Sequence, residues 1–434
     1  MPAPFPPQGE RSSRSDRCGP DGELNPAQAL EDIFRREHGL VLSSLIKSFG
    51  EFDVAEEALA EAVASAVENW PRSGTPVNPA AWLLTVARRK GIDRLRRRKR
   101  LEKRMALLAS EEPTLPMESS DSGVPDERLR LIFTCCHPAL SAEGQVALTL
   151  RTLGGLTTAE IAKAFLTTEA TMFQRITRAK NKIRLAGIPY QVPSSEQLPV
   201  RVESVLAVVY LIFNEGYSSM SGHELVRVDL CQEGIHLAEM LVGLLPDEPD
   251  VLGLAALCWL IEGRRPGRID SSGELVLLAE HDRTTWDRAA IDRGLGLLQR
   301  VEKHGRESPY VIQARIAALH STSPSHSATD WDAIVMLYRW LYELKPSPVI
   351  ALNHAAAVAM AEGELAGLAL MEPLAASLDG YQPFYAARGE LLARVGRASD
   401  AAESFRTALT FSINDVERRH LERRLAEVDD SYEA

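Results

Sequence analysis

GGLTTAEIAKAFLTTEATMFQRITRAKNKIR, residues Gly154–Arg184, decides which class of fold this chain adopts. Thr157 or Thr158 is suited to cap a first helix, and Thr168 to cap a second helix that begins near Ala170. Apolar side chains recur at helical spacing in both segments: Ile161, Ala162 and Phe165, then Met172, Ile176, Ala179 and Ile183. A short helix, a turn and a longer helix form a helix-turn-helix, whose second helix enters the major groove of DNA.

Polar and basic side chains cover the rest of the second helix. From Ala170 to Arg184 there are five basic residues and no acidic ones. Gln and Arg can pair with adenine and guanine edges, whereas Lys and Thr suit phosphates. The candidate DNA contacts are therefore Thr171, Gln174, Arg175, Arg178 and Lys182. The alternative is a helical hairpin with a solvated charged face, and Leu166, where a turn usually wants Gly, leaves the turn geometry open.

The composition of the 434 residues is that of a soluble globular protein, with 45% hydrophobic and 25% charged residues. Helix formers dominate and no alternating run is convincing, so we expect an all-α fold. The apolar runs Val205–Phe213 and Leu252–Ile261 are too short to span a bilayer. Residues 1–26 are rich in Pro, Ser and Arg, which predicts a disordered tail rather than an export signal. Five cysteines are too few for a disulfide framework, so a cytoplasmic protein is expected.

Charge is distributed unevenly along the chain. The net charge is −11, but residues 1–199 carry a balance of +2 and residues 200–434 a balance of −13, from 22 basic and 35 acidic residues. Within the first part, acidic and basic blocks alternate. Such blocks predict separate surfaces for separate partners.

A second basic helix is predicted over residues 78–104. Asn78 is a capping residue, Pro79 occupies the first helical position, and apolar residues follow at its start. Eleven of the 17 residues from Arg88 to Arg104 are basic. The alternative is a solvated charge run or a basic localisation tail. Because the apolar start of this helix should be anchored in a core, a fixed surface that follows the phosphates of a nucleic acid is favoured.

An acidic helix is predicted immediately before this basic helix. FDVAEEALAEAVASAVENW should turn Val54, Ala58, Val63 and Val67 inward and leave Glu56, Glu57 and Glu61 exposed. We therefore expect one compact unit with two oppositely charged faces.

Together these stretches resemble a known family, the extracytoplasmic-function (ECF) class of sigma-70 RNA polymerase sigma factors. DVAEEALAEAV and AAWLLTVARRKGIDRLRR are similar to the region 2 helices, and LSAEGQVALTLRTLGGLTTAEIAKAF followed by ATMFQRITRAKNKIR is similar to region 4. The resemblance places region 2 at residues 27–104, an acidic linker at 105–127 and region 4 at 128–190. Ala60 stands where the family's acidic helix commonly has Gln.

The resemblance also implies partners and roles for named residues. Core RNA polymerase would be bound through Asp53, Glu56, Glu57 and Glu61. The promoter −10 element would be melted and read by Asn78, Trp82, Arg88, Arg89, Arg94 and Arg97. The −35 element would be read by the second helix of the helix-turn-helix. The linker would thread toward the polymerase RNA channel.

Beyond region 4, IPYQVP, VLAVVYLIFNEGYS and LLPDEPDVLGLAAL resemble the ECF subgroup with a long helical C-terminal extension. We expect a helical domain at residues 199–308 and tetratricopeptide-like repeats at 309–430. In the clearest repeat, Gly389, Gly396, Ala401 and Phe405 match small and aromatic positions, and a shift of 33 residues aligns Ala356 and Gly363. Such an array would hold a peptide, a partner protein or the chain's own regions 2 and 4. The alternative is helical filler that only solubilises the chain.

No catalytic, nucleotide-binding or zinc motif is found, so we expect no enzyme activity and no cofactor. Cys135, Cys136 and His137 raise the possibility of a metal site, but without a second ligand pair we expect buried thiols. The predicted function is a promoter-specificity subunit that acts with core RNA polymerase and promoter DNA. The alternatives are a stand-alone helix-turn-helix regulator with a tetratricopeptide sensor domain, and a scaffold protein.

Overall fold

The computed structural model describes residues 26–106, 127–165, 167–218, 225–303, 305, 307–412 and 414–433. Within these ranges the regular elements are helices, and one isolated bridge joins Ile269 to Leu275. The all-α prediction is confirmed. The chain divides into two compact units, one that runs to Arg128 and includes Thr152–Leu156, and one formed by Leu129–Arg151 and the residues from Thr157 onward. Residues 1–25 of the predicted tail, 107–126 of the predicted linker, and Leu166 lie outside the described residues.

Three helices form the first unit: α1 (Pro26–Phe49), α2 (Phe52–Ser73) and α3 (Pro79–Ala106). The buried stripe of α2 is made mainly of small residues: Val54, Ala55, Ala58, Leu59, Ala62, Ala66 and Trp70. Trp70 lies between Phe34, stacked at 5.4 Å, and Trp82, edge-on at 5.3 Å between ring centroids. The prediction that Val67 points inward is wrong, since its side chain is 52% exposed. Alanines occupy the interface because they let the helices approach closely.

The next four helices are α4 (Glu127–Cys135), α5 (Ala142–Thr152), α6 (Thr158–Ala164) and α7 (Glu169–Leu185). Thr157 caps α6 reciprocally with Glu160: the Thr157 hydroxyl accepts the Glu160 N–H at 3.1 Å, and the Glu160 carboxylate accepts the Thr157 N–H at 2.6 Å. The Thr168 hydroxyl accepts the Thr171 N–H at 3.2 Å and caps α7. Both predicted helices of the helix-turn-helix are present.

The thiols of Cys135 and Cys136 are fully buried, as predicted. Burial raises the pKa of the Cys136 thiol to about 12, and its sulfur lies 3.5 Å from the Thr149 hydroxyl. These side chains therefore pack as small apolar groups.

The extension starts with α8 (Leu198–Tyr217), α9 (Val228–Leu244), α10 (Pro249–Arg264) and α11 (Arg288–Glu302). Gly234 of α9 lies against Phe213 of α8, where an added Cβ would be 2.7 Å from the phenylalanine Cβ. The apolar face of α8 is therefore covered within the extension itself. Between α10 and α11, residues 265–287 form a connecting segment with short 3₁₀ turns at Arg265–Gly267 and Arg283–Thr285.

Three helical hairpins and a last helix complete the chain. They are α12 (Pro309–Thr322) with α13 (Trp331–Leu344), α14 (Pro348–Glu362) with α15 (Glu364–Met371), α16 (Gln382–Arg394) with α17 (Ala398–Phe411), and α18 (Asp415–Glu433). Gly363 and Gly396 have φ values of 106° and 77° at the turns of the second and third hairpins. Only Gly adopts such angles without strain, which accounts for a Gly at each of these turns. The two glycines lie at the predicted spacing. None of the described helices is long and apolar enough to cross a membrane.

Candidate nucleic-acid interface

Helix α7 presents one buried face and one exposed face. Met172, Ile176, Ala179 and Ile183 are buried, as predicted from their spacing. Among the candidate DNA contacts, Thr171, Gln174, Arg178 and Lys182 are exposed. Because a recognition helix reads base edges with the side chains of its outer face, this arrangement suits the major groove.

Arg175 is oriented differently from the other candidates. Its side chain is 27% exposed, and its guanidinium lies 2.9 Å from the carboxylate of Glu143 at the start of α5. The two residues flank a shallow groove of about 420 Å³ between the loop before α5 and α7, which Gln174, Arg178 and Lys182 also line. Arg175 is therefore less exposed than Gln174, because the acidic side chain of Glu143 holds it.

One residue of α7 was missed by the sequence analysis. Phe173 lies near the start of the helix and its side chain is 63% exposed. Its position outside the buried stripe Met172–Ile176–Ala179 is visible in the helical period, so the sequence did contain the signal. Apolar side chains can contact the methyl group of thymine in the major groove.

The start of α3 is organised by Asn78 and Trp82. The Asn78 side-chain oxygen accepts the Ala81 N–H at 3.0 Å, so this residue caps the helix as predicted. Trp82 is half-buried and packs edge-on against Trp70. Both residues therefore hold the basic helix on the core of its unit.

The acidic and basic helices of the first unit are joined by ion pairs. Arg94 of α3 lies 2.5 Å from the carboxylate of Glu57 and 3.6 Å from that of Glu61, and Lys90 lies 3.7 Å from Glu61. Arg98 makes two hydrogen bonds of 2.7 and 2.9 Å to Glu51, the residue that precedes α2. The two oppositely charged faces expected of this unit are therefore not separate: part of each face meets the other, because α2 and α3 pack side by side.

The remaining candidate residues of this unit lie at the surface. Arg88, Arg89 and Arg97 are exposed on α3, and Asp53 is exposed on α2. The prediction that Glu56 is exposed is wrong, since its side chain is half-buried and its Oε1 atom is buried. The basic helix thus keeps exposed guanidinium groups outside its ion pairs with α2, as a phosphate-binding surface requires.

Three family models match the chain in the order of these elements. The model described as Sigma-70 region 2 matches residues 33–101, and the one described as Sigma-70, region 4 matches residues 130–183. A third, a family of unknown function (DUF6596), matches residues 201–302. The first two contain the acidic and basic helices and the helix-turn-helix, respectively.

The chain is also similar over most of its length to the uncharacterized protein R00370 of Rhizobium meliloti (strain 1021). The two are 43% identical over 389 residues, which cover 88% of this chain and 92% of the relative. The similarity therefore includes the C-terminal extension. With both sigma-70 regions in order and their predicted helices present, the chain belongs to the sigma-70 family of transcription initiation factors and carries a C-terminal helical extension.

Proposed function

We propose that this protein binds core RNA polymerase and directs it to promoters by recognition of −10 and −35 elements, with the C-terminal extension supporting that activity. The observation that carries the proposal is the presence of two basic helices, α3 and α7, each of which begins inside a matched sigma-70 region and lies mostly within it. A stand-alone regulator needs one DNA-reading helix, whereas this chain has two basic helices that could serve in that way. The protein would act in the cytoplasm.

For the −35 element, the exposed face of α7 supplies the reading residues. Thr171, Gln174 and Arg178 are exposed, and Arg and Gln side chains can pair bidentately with guanine and adenine. Arg175 is paired with Glu143 in this structure. To contact a base, Arg175 would either break this ion pair or keep it, in which case Glu143 would orient the guanidinium along the groove. Lys182, two turns further along the exposed side, would contact phosphate.

For the −10 element, α3 would supply the reading surface. Arg88, Arg89 and Arg97 are exposed and suited to phosphate. Asn78 and Trp82 would contribute from the helix start, which they also stabilise. Arg94 would change partner on binding, because it is paired with Glu57 and Glu61 in this structure.

Core polymerase would be bound by the acidic residues of α2, namely Asp53, Glu56, Glu57 and Glu61. The ion pairs of Glu57 and Glu61 are half exposed, and exposed pairs contribute little stability, so a basic surface on the polymerase can compete for these carboxylates. Reversal of Glu56 and Glu57 to Lys should abolish the interaction through charge repulsion.

The extension is connected to region 4 by a specific contact. Arg201 of α8 donates a hydrogen bond to the Phe133 carbonyl of α4, and its guanidinium lies 5.9 Å from the Phe133 ring centroid. Leu129–Arg151 and the part of region 4 from Thr157 onward also fall within the same compact unit as the extension. This contact supports a bracing role, in which the extension holds region 4 in a defined pose.

Run-off transcription with core polymerase, with and without this protein, tests the proposal. We expect transcripts from a cognate promoter only when both are present. Tight, sequence-specific binding of a promoter duplex by the isolated protein, without any effect on core polymerase, would instead support the stand-alone regulator.

A further inference from the structure

A cavity of about 320 Å³ lies among the hairpins of the extension, and the proposed function assigns no ligand to it. It is bordered by α12, α13, α14 and α16, and by Leu278 of the connecting segment. Its volume is within the range of about 300–1,000 Å³ that small-molecule sites occupy. The cavity therefore has the size of a ligand site.

The connecting segment contributes Leu278 to the cavity lining and is held by hydrogen bonds on either side of that residue. Glu274 accepts a hydrogen bond of 2.7 Å from Arg419 of α18. Arg283 donates to the carbonyls of His320 and Ser323, at 2.9 and 2.6 Å, at the end of α12. Because the segment already lies against the hairpins, the remaining space suits a small molecule better than an extended peptide.

The lining combines an apolar body with unpartnered polar atoms. Trp331, Ile334, Met360 and Leu391 contribute apolar surface. The rings of His320 and His326 lie edge-on to Trp331, with centroids 5.3 and 5.1 Å from it. The Nδ1 atoms of both histidines are buried without a hydrogen-bond partner, and buried polar groups are normally paired.

The charge around the cavity is positive although this half of the chain is acidic. Arg394 lines the cavity and is itself solvent-exposed; among the described residues no carboxylate lies within ion-pair distance of it, and its contact is with the Met360 sulfur at 3.6 Å. The lining carboxylate Glu390 is already bound by Arg424 through two hydrogen bonds of 2.7 and 2.9 Å. An anion entering the cavity therefore meets an uncompensated guanidinium.

Two further arginines, which do not line the cavity themselves, add positive charge near it. Arg264 and Arg283 are 8% and 9% exposed, and neither has an ion-pair partner in the described part of the chain. Both arginines act electrostatically on His320. Burial and these positive charges together lower the pKa of His320 to about 3. A buried positive charge without a partner is costly, and a bound anion would offset that cost.

We infer that this cavity binds a small organic anion, with an apolar ring-containing body against Trp331 and Ile334 and a carboxylate, sulfonate or phosphate group at Arg394. The two histidine nitrogens then complete their hydrogen bonds with the ligand's polar atoms. The acidic surface of the extension repels large polyanions, whereas the cavity admits a single compact anion.

Fluorescence titration of the full chain with 8-anilinonaphthalene-1-sulfonate tests this inference, with the neutral N-phenyl-1-naphthylamine as the matched dye. We expect saturable binding of the sulfonate with a dissociation constant about tenfold lower than that of the neutral dye, the size of one charge-assisted hydrogen bond. Arg394→Gln should weaken sulfonate binding about tenfold and leave neutral-dye binding unchanged. Arg406→Gln, at an exposed arginine paired with Asp429, is the control and should change neither.

A second variant and a competitor complete the test. Ala387→Phe fills the cavity and should remove binding of both dyes while circular dichroism stays that of the wild type. Equal affinity for the two dyes, or equal effects of Arg394→Gln and Arg406→Gln, would overturn the inference. Displacement of the sulfonate by a hexapeptide with a free C-terminal carboxylate, but not by 1-naphthoate, would overturn it in favour of a peptide partner.

Discussion

Among single residues, His320 shows how burial and neighbouring charge set the behaviour of one side chain. Its folded-state pKa of about 3 lies below the ordinary value of 6.5, first because the ring is buried and then because Arg264 and Arg283 are close. Protons therefore bind the unfolded state preferentially as the pH falls. The stability that His320 contributes is complete above pH 6.5 and is lost as the pH falls toward 3.

His320→Gln should therefore flatten the acid dependence of the free energy of unfolding. One such group changes that free energy by at most about 1.4 kcal/mol per pH unit. Urea unfolding of the wild type and the variant at several pH values between 6.5 and 4.5 measures the difference in slope. Parallel slopes for the two proteins would show that another group controls this dependence.

The ion pair between Glu57 and Arg94 allows two roles to be separated by matched variants. Glu57→Gln and Arg94→Gln remove the same half-exposed pair, so each should change stability by about 0–1 kcal/mol. Only Glu57→Gln should weaken co-purification with core polymerase, because only that variant loses an acidic docking residue. Only Arg94→Gln should impair promoter melting once polymerase is bound. Equal losses of polymerase binding would mean that the pair serves the fold alone.

On α7, Arg178 and Lys182 separate base reading from phosphate binding. Arg178→Ala in the holoenzyme should cost about 1–3 kcal/mol of promoter binding and relax the preference at one or two −35 positions. Lys182→Ala should weaken binding to all promoter sequences alike. It should also reduce the slope of the logarithm of the binding constant against the logarithm of salt concentration by about one. Binding to a panel of −35 variants at several salt concentrations distinguishes these results. If both substitutions weaken every promoter equally, α7 is not the reading helix.

At the scale of elements, the α16–α17 hairpin depends on the close approach of its two helices. Gly389 lies against the buried ring of Phe405, where an added Cβ would come within 2.7 Å of a ring carbon. Gly389→Ala should therefore destabilise the protein by about 1–3 kcal/mol through overpacking. Gly296→Ala in α11 is the control: nothing lies within 4 Å of the added Cβ, and the better helix former should stabilise by about 0.5–1 kcal/mol. Thermal unfolding of both variants measures the opposite signs.

At the scale of the whole molecule, most of region 4 shares one compact unit with the extension. A chain that ends at Gln197 loses Arg201 and its contact with Phe133, so we expect it to lose transcription activity and thermal stability. Deletion from Gly380, which keeps α8–α15, should have a smaller effect. Transcription from a cognate promoter and thermal unfolding measure both.

Arg201→Met is the matched control for this truncation, because it keeps the extension and removes only the contacts of the Arg201 guanidinium with the Phe133 carbonyl and ring. We expect a partial loss of transcription and a lower unfolding temperature. Wild-type transcription from the chain that ends at Gln197 would instead show that the extension is neither brace nor regulator.

Sequence alone determined the features that depend on neighbours within one or two helical turns. The caps at Asn78, Thr157 and Thr168 follow from side-chain oxygens that reach the first free N–H groups. The buried face of α7 follows from the helical period. Together with the charge blocks, these local signals were sufficient to indicate an all-α chain with a helix-turn-helix and a second basic helix.

Only the tertiary structure decided which distant groups meet. The partners of Arg94 and Arg175, the bond from Arg201 to Phe133 and the positive cavity at Arg394 join residues that the chain order keeps apart. The same holds for Val67, which lies at the surface because alanines let α2 approach its neighbours. Such contacts depend on how closely and at what angle helices pack, and that geometry leaves no period in the sequence.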